Sequence, residues 1–586
     1  MTTDTEASVT PKNIVRAASR RMMVPMIAVS GVINVLGLAL PIYTMSVFDR
    51  VLTSRSEDTL LFLAIAASIA ILTSALLDAL RTVAFGRIAN WITYALSPEV
   101  LARSIERRLI ENNLRTELLR EVGNVRAFLA GPVAASLLDL PWLPLYLVVA
   151  FLIHPMFGWL ALIGAVLLFA LAIVTDRVLK RDVILSSTLG SQAMHDGDSI
   201  VRNAEIVDSL GMTRMMIERW SGRMYEELYA AERIQSRTAL MLSITRWTRA
   251  MIQVALYALA AKLVIDQEMS AGAIIAASII VSRLLSPVEA VMGQFRALKM
   301  ARNSYENLNR FFDLPRRPAS SLSLPRPVGR LSVDRVSVRL SGQATPTLRN
   351  ICFDVPAGRQ VAIVGPAGSG KTTLARLLIG IAKPELGTVR LDGVDVSSWD
   401  REEFGGHVGY LPQDVELFSG TVAENISRFG GDVGGSIVRA ARFAGCHEMI
   451  LGLPKGYETQ IGDSGVLLSG GQRQQIGLAR AVHGCPRFIV LDEPNSNLDI
   501  RGDQALSRAL GQLAKAKVTV VIVTHRPSIL TSVDYTLILE QGAVRAFGPT
   551  ADVLAKVRQP AITEKHQPPA GEAASAPSAP QGETVQ

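Results

Sequence analysis

Two stretches of this chain combine residue types suited to phosphate. Gly365-Pro366-Ala367-Gly368-Ser369-Gly370-Lys371-Thr372 fits G-x-x-x-x-G-K-[ST], a loop that wraps nucleotide phosphates with backbone N–H groups at a helix start. Gly368 and Gly370 let the backbone curl. Lys371 reaches the β- and γ-phosphates, the Thr372 hydroxyl ligates Mg²⁺, and Thr373 begins the helix behind them. Further along, Leu468-Ser469-Gly470-Gly471-Gln472 opens a second helix, whose free N–H groups suit an anion. Phe488-Ile489-Val490-Leu491 then reads as a buried strand ending in Asp492-Glu493. A carboxylate at such an edge can hold Mg²⁺ through water while its neighbour polarises the attacking water. Asp492 is assigned to the metal and Glu493 to the general base.

These residues need strands to aim them. Val361-Ala362-Ile363-Val364 is a short apolar run leading into the first loop, residues 373–379 read as helix, and residues 518–524 form a third strand ending at His525. At 586 residues the chain exceeds a single core. Hydrophobic residues make up 49% and charged residues 19%, and mean hydropathy is +0.28. The net charge of +8 does not come with basic–aromatic clusters, so no nucleic acid is expected. Cys352, Cys446 and Cys485 lack metal-ligand spacing and read as reduced thiols.

The first half explains both charge and hydropathy. Residues 22–48 and 59–77 carry no charged side chain, and each can cross a hydrocarbon core of ~30 Å. The polar start and the length of the first stretch argue against a cleaved signal. Residues 49–58 form an outside turn between the two. Residues 127–175 hold only Asp139 and His154 as interruptions and must cross twice, reversing at His154-Pro155. Two further spans are read near 247–265 and 269–290, carrying Lys262, Arg283 and Glu289. Lys262 can snorkel; Arg283 and Glu289 either line a pathway or form an interhelix ion pair. Arginines crowd the segments from Arg81 to Arg126 and from Arg177 to Arg223, whereas Asp266-Gln267-Glu268 is acidic. The long basic loops and both termini therefore lie on the cytoplasmic side, with helices extending below the bilayer. Contact segments to a cytosolic domain are expected within 107–129 and 182–201. The prolines of 313–330 mark a linker, and the Pro/Ala-rich residues 559–586 a disordered tail.

The pairing of the phosphate loop with Leu468-Ser469-Gly470-Gly471-Gln472 resembles ATP-binding cassette proteins. Together with the spans, it gives a chain similar to half-size ABC exporters. Leu40-Pro41-Ile42-Tyr43, Asp139-Leu140-Pro141-Trp142-Leu143-Pro144, Arg202-Asn203-Ala204-Glu205 and Asp492-Glu493-Pro494-Asn495-Ser496-Asn497-Leu498-Asp499 resemble, more narrowly, type I protein secretion exporters of Gram-negative bacteria. The resemblance implies a multi-domain fold: a cytoplasmic segment 1–21, an α-helical six-span transmembrane domain at 22–312 with the type I ABC exporter fold, the linker, and an α/β P-loop ABC nucleotide-binding domain at 331–558. It also implies ATP and Mg²⁺ as cofactors and an inner-membrane location with the ATPase domain cytoplasmic. The implied partners are a second identical subunit, a periplasmic adaptor, a TolC-type outer-membrane channel, membrane lipids and an unfolded protein cargo with a C-terminal signal. By the same resemblance His525 is the switch histidine, Gln413 contacts Mg²⁺, Asp499 lies in the loop crossing a dimer interface, and Ser469, Gly470, Gly471 and Gln472 meet the γ-phosphate held by the other subunit. Leu340 stands where relatives stack an aromatic residue on adenine. With about twenty residues ahead of the first span, no leader-processing domain is expected. Rival readings are a lipid or small-molecule flippase on the same plan and a soluble ABC ATPase; an importer is disfavoured by the joining of spans and cassette in one chain.

Overall fold

The computed structural model describes residues 13, 23–108, 118–314, 324–339, 345–431, 435–462 and 467–558. Among the expectations that fall outside these are Leu340, the tail at 559–586, most of the 1–21 segment and residues 315–323 of the linker. The chain divides into two compact units that part near residue 317.

The first unit is helical. Its elements are α1 (Val24–Leu36), α2 (Ala39–Ser46), α3 (Glu57–Arg108), α4 (Leu118–Leu129), α5 (Pro132–Asp139), α6 (Leu143–Ile153), α7 (Pro155–Arg202), α8 (Ala204–Ser209), α9 (Thr213–Ile265), α10 (Ala271–Gly293) and α11 (Phe295–Asp313). Among the described residues, six helical stretches, some of them joining two of these elements, are long and apolar enough to cross a membrane. At ~1.5 Å per residue, α3, α7 and α9 run about 70 to 80 Å, more than twice a bilayer core.

Proline and polar caps set the breaks. His154 adopts extended backbone (φ −162°) and its Nδ1 accepts from Met156 N at 3.3 Å, so the chain reverses at the expected His154-Pro155. One detail differs from expectation. Residues 49–54 are helical, because Asp49 and its neighbours form a π-turn (Val47–Val51) and the reversal waits for Arg55 at φ +53°. The lower reversal between α7 and α9 falls at 203–212, around α8 and Gly211, just after the 182–201 segment at the end of α7.

Several polar side chains inside this unit pair with one another, as they must where water is scarce. Asp139 accepts from Ser30 Oγ (2.5 Å), Asn34 Nδ2 (3.0 Å) and Arg81 Nη1 (2.7 Å), joining α1, α3 and α5. Tyr146 Oη adds a bond to the Asn34 carbonyl at 2.9 Å. Arg81 is therefore a buried cross-link rather than a free loop cation. Glu289 pairs with Arg249 on α9, not with Arg283. Its interhelix ion pair was one of the two readings expected. Arg249 was overlooked, although its place nearly as far before the 266–268 turn as Glu289 lies after it is a signal for facing positions in antiparallel helices.

The second unit is α/β. β1 (Leu331–Val338), β2 (Leu348–Val355), β4 (Leu386–Leu391) and β5 (Val394–Asp395) form an antiparallel sheet in the order β2-β1-β4-β5. β3 (Gln360–Val364), β6 (Val408–Leu411), β9 (Phe488–Asp492), β10 (Thr519–Val523), β11 (Tyr535–Glu540) and β12 (Ala543–Pro549) form the second sheet, ordered β12-β11-β3-β10-β9-β6; β7 (Gly420–Thr421) pairs with β8 (Gln460–Ile461). β9 and β10 are buried at every position, as expected for parallel strands covered on both faces. Cys446 packs in this core, where burial pushes its thiol up to about 12.

Candidate nucleotide site

Four adjacent parallel strands, β3, β10, β9 and β6, run in register, with Ile363 opposite Val523, Val523 opposite Asp492 and Leu411 opposite Leu491. Their carboxyl ends deliver the phosphate loop, His525, Asp492-Glu493 and Gln413 to one edge of the sheet. In open α/β sheets this edge is where ligands bind.

β3 ends in the loop Gly365–Gly370 and α12 (Lys371–Leu378) starts directly after it. Gly370 has φ +98° and Gly368 φ +76°, a region that disfavours side chains. At Gly365 a Cβ would sit 2.1 Å from Leu539 O, so the loop lies flat against β11. Lys371 Nζ donates to the carbonyls of Gly365 (3.0 Å) and Pro366 (2.9 Å), stretching along the loop it would share with phosphate. Ser369 Oγ is buried without a partner.

Asp492 is fully buried, and neither carboxylate oxygen has a hydrogen-bond partner. Burial pushes its pKa up, while the nearby Thr372 hydroxyl, Arg376 and Lys371 pull it down. A buried, unpartnered carboxylate beside a hydroxyl is a set of hard oxygen donors and fits Mg²⁺. Glu493 sits at φ +48°, a costly backbone for a non-glycine residue, by about 1–3 kcal/mol. It is pinned from both sides: its N donates to Val523 O at 3.0 Å, and its carbonyl accepts from Gln474 Nε2 at 2.9 Å. Its carboxylate accepts from Gln413 Nε2 at 3.2 Å and lies 3.9 Å from His525 Nδ1. Glu493, Gln413 and His525 thus converge on one point.

The Leu468–Gln472 stretch is built differently. Ser469 caps α13 (Gly470–Val482) in a reciprocal box: its Oγ accepts from Gln472 N at 3.2 Å, and Gln472 Oε1 accepts from Ser469 N at 2.9 Å. Gly471 admits the Asn497 carbonyl, 2.9 Å from where a Cβ would stand. Asp499 caps α14 (Ile500–Lys515) by accepting from Gly502 N at 2.7 Å. A cavity of about 580 Å³ opens here, lined among others by Ser469, Gly470, Gly471, Gln472 and Asp499, and by none of the phosphate-loop residues. The chain therefore carries two separate half-sites. Gln474 links them: buried in α13, it holds Glu493 O and accepts from Asn497 N at 3.0 Å. Sequence reading overlooked it; a polar residue within a helix otherwise packed against the core was the available signal.

Residues 348–496 match the ABC transporter family. Over 540 residues the chain is 38% identical to the type I secretion system ATP-binding protein PrsD of Rhizobium meliloti, covering 92% of this chain and 93% of that one. The chain belongs to the type I secretion ABC exporters. This family also includes the cyclolysin secretion/processing ATP-binding protein CyaB of Bordetella pertussis, 30% identical over 92% of this chain and 76% of its own length. The alpha-hemolysin translocation ATP-binding protein HlyB of Escherichia coli O157:H7 is 27% identical over 92% of this chain and 77% of its own. A bacterial Atm1-family ABC exporter with ATP bound has the same fold, with a TM-score of 0.81 at 23% identity over 92% of this chain and 97% of that one. As a type I secretion ABC exporter, the chain is a multi-pass membrane protein that binds nucleotide and couples ATP hydrolysis to transport. Membership of this branch favours protein export over the flippase reading, and the six long apolar helices set aside the soluble one.

Proposed function

We propose that this chain works as a homodimer in the bacterial inner membrane, its ATPase units cytoplasmic. There it drives an unfolded protein with a C-terminal signal outward, together with a periplasmic adaptor and a TolC-type outer-membrane channel. The observation that carries the dimer is the separation of the two half-sites within one chain. The cavity at Ser469 has a capped helix N-terminus to offer an anion and no phosphate loop of its own. A second chain supplies what it lacks.

In this reading Gly365 to Thr373 of one subunit hold the triphosphate, and Ser469, Gly470, Gly471 and Gln472 of the other approach from the opposite side. Thr372, Asp492 and Gln413 would hold Mg²⁺, which supplies charge neutralisation at the phosphates. Glu493 takes the proton from the attacking water, and His525 and Gln413 keep its carboxylate aimed. Asp499 stiffens the loop at the interface by capping α14. The domain limits 22–312 and 331–558 and the adenine contact at Leu340 belong to the same proposal.

Reconstitution decides it. Vesicles holding the purified chain and its adaptor are given ATP and a candidate cargo carrying its C-terminal end, and lumenal cargo is measured by protease protection. Protected cargo that disappears when the C-terminal segment is removed is the expected result. Steady ATP turnover with no protected cargo, adaptor present, overturns protein export.

A further inference from the structure

Outside the ATPase site, a cavity of about 660 Å³ opens between α9 and α10. Among the residues lining it, Arg246 and Arg249 from α9 face Ser282, Arg283, Ser286 and Glu289 from α10. Glu289 is occupied by Arg249, whose Nη2 also donates to Ser282 Oγ at 2.7 Å. Among the described residues Arg246 and Arg283 have no carboxylate partner. Three guanidiniums thus face one carboxylate, leaving two positive charges in excess.

The packing of α10 shows what kind of space this is. Its apolar residues Ile280, Val281, Leu284, Leu285, Val288 and Met292 are all buried within the unit, whereas Arg283 and Ser286 are exposed. A spanning helix that turns its leucines inward and Arg283 and Ser286 outward does not face lipid tails. That face must border water or another polar chain. Depth sets Arg283 apart from lipid headgroups, while Arg246, 19 residues before Ile265 on α9, lies closer to the inner face. Arg283 lies 12 residues after Ala271 and 10 before Gly293, about 15 to 18 Å from either end at ~1.5 Å per residue, which is mid-core in a bilayer of ~30 Å. Lipid phosphates sit at the faces of the bilayer.

We infer that this cavity binds carboxylate groups of the polypeptide in transit, with Arg246 and Arg283 as the binding cations and the Arg249–Glu289 pair holding the walls in place. The inference rests on the protein-export reading and specifies its substrate chemistry: acidic segments are held here and basic ones repelled. Arginine suits the role because its planar fork grips carboxylates with two bonds and keeps its charge in a poorly hydrated place.

The test uses the full chain in phosphatidylcholine nanodiscs and a fluorescent oligoglutamate peptide, followed by anisotropy, with oligolysine as control. Oligoglutamate should bind saturably and weaken as salt rises; oligolysine should not bind. Arg246→Gln and Arg283→Gln should each weaken oligoglutamate binding ~10-fold, the range for a lost charged hydrogen bond, while basal ATPase and thermal stability hold. Arg283→Lys, which keeps the charge but loses the fork, should bind more weakly than wild type and more tightly than Arg283→Gln. Arg214→Gln, at the exposed far end of α9, should change nothing. Undiminished binding in the double Arg246→Gln, Arg283→Gln variant overturns the site. Competition by phosphatidylglycerol vesicles together with loss of lipid uptake in that variant overturns the peptide ligand in favour of lipid. Wild-type vesicles that still protect cargo while either result holds would leave protein export standing and this inference refuted.

Discussion

Asp492 is the most conflicted residue of the cassette. Burial raises its pKa, yet the proposed Mg²⁺ role needs the carboxylate. A raised pKa in the folded state means that its favourable contribution is present at low pH and is lost as pH rises through the raised value. Without nucleotide and Mg²⁺, cassette stability should therefore fall as pH climbs from acid to neutral. Asp492→Asn should remove that fall and raise the apo melting temperature at neutral pH. The same change should abolish the stabilisation that Mg²⁺ and ATP give the wild type. Thermal melts at several pH values, with and without Mg–ATP, measure both. An apo Asp492→Asn protein that melts below wild type at neutral pH would contradict this account of the site.

Among the elements, two capping boxes of the same chemistry separate stability from function. Thr421 and Glu424 cap the short helix Val422–Ser427 as Ser469 and Gln472 cap α13. Thr421→Ala and Ser469→Ala should each cost ~1 kcal/mol of cassette stability. Only Ser469→Ala should suppress ATP turnover, because only that helix end opens on the half-site cavity; melts and phosphate release read the two effects. In the membrane unit, the Asp139–Arg81 pair poses a different balance. Asp139→Ala leaves buried Arg81 with Asp78 (2.7 Å) as its carboxylate partner and takes an acceptor from Ser30 and Asn34, so it should cost ~1–3 kcal/mol, whereas replacing both Asp139 and Arg81 by leucine should recover most of that. Residual fold after heating in detergent, compared across the single and double variants, checks it. Equal loss in both would mean that packing, not charge, holds α1, α3 and α5 together.

For the whole molecule, the proposed homodimer rests on the Ser469 cavity having no phosphate-loop residue in its lining. In that proposal a second chain completes each site, and removing the base should freeze the assembly. Glu493→Gln should keep ATP binding, lower hydrolysis by ~100-fold or more, and shift the purified protein to a long-lived ATP-bound dimer. Light-scattering mass with and without ATP, beside single-turnover phosphate release, tests this. Normal turnover in the variant would remove Glu493 from the base role.

Much of this was legible in the order of residues. The phosphate loop, the strand ending in Asp492-Glu493, the helix opening at Leu468–Gln472 and the reversal at His154-Pro155 are local: each depends on neighbours within a turn or a strand, so type and spacing suffice. Uncharged runs of bilayer length are equally local, because the bilayer fixes their length. What sequence could not give were pairings between distant positions. Arg81 reads as one more cytoplasmic arginine until α1 and α5 close around it, and the Arg249–Glu289 pairing is fixed only when α9 and α10 pack antiparallel. Gln474 gains a role only when α13 is laid beside the strained backbone of Glu493. Hydrophobic patterning tells a helix which side to bury, but the partner of each buried polar group is chosen by tertiary packing, which brings residues far apart in the chain within hydrogen-bond reach.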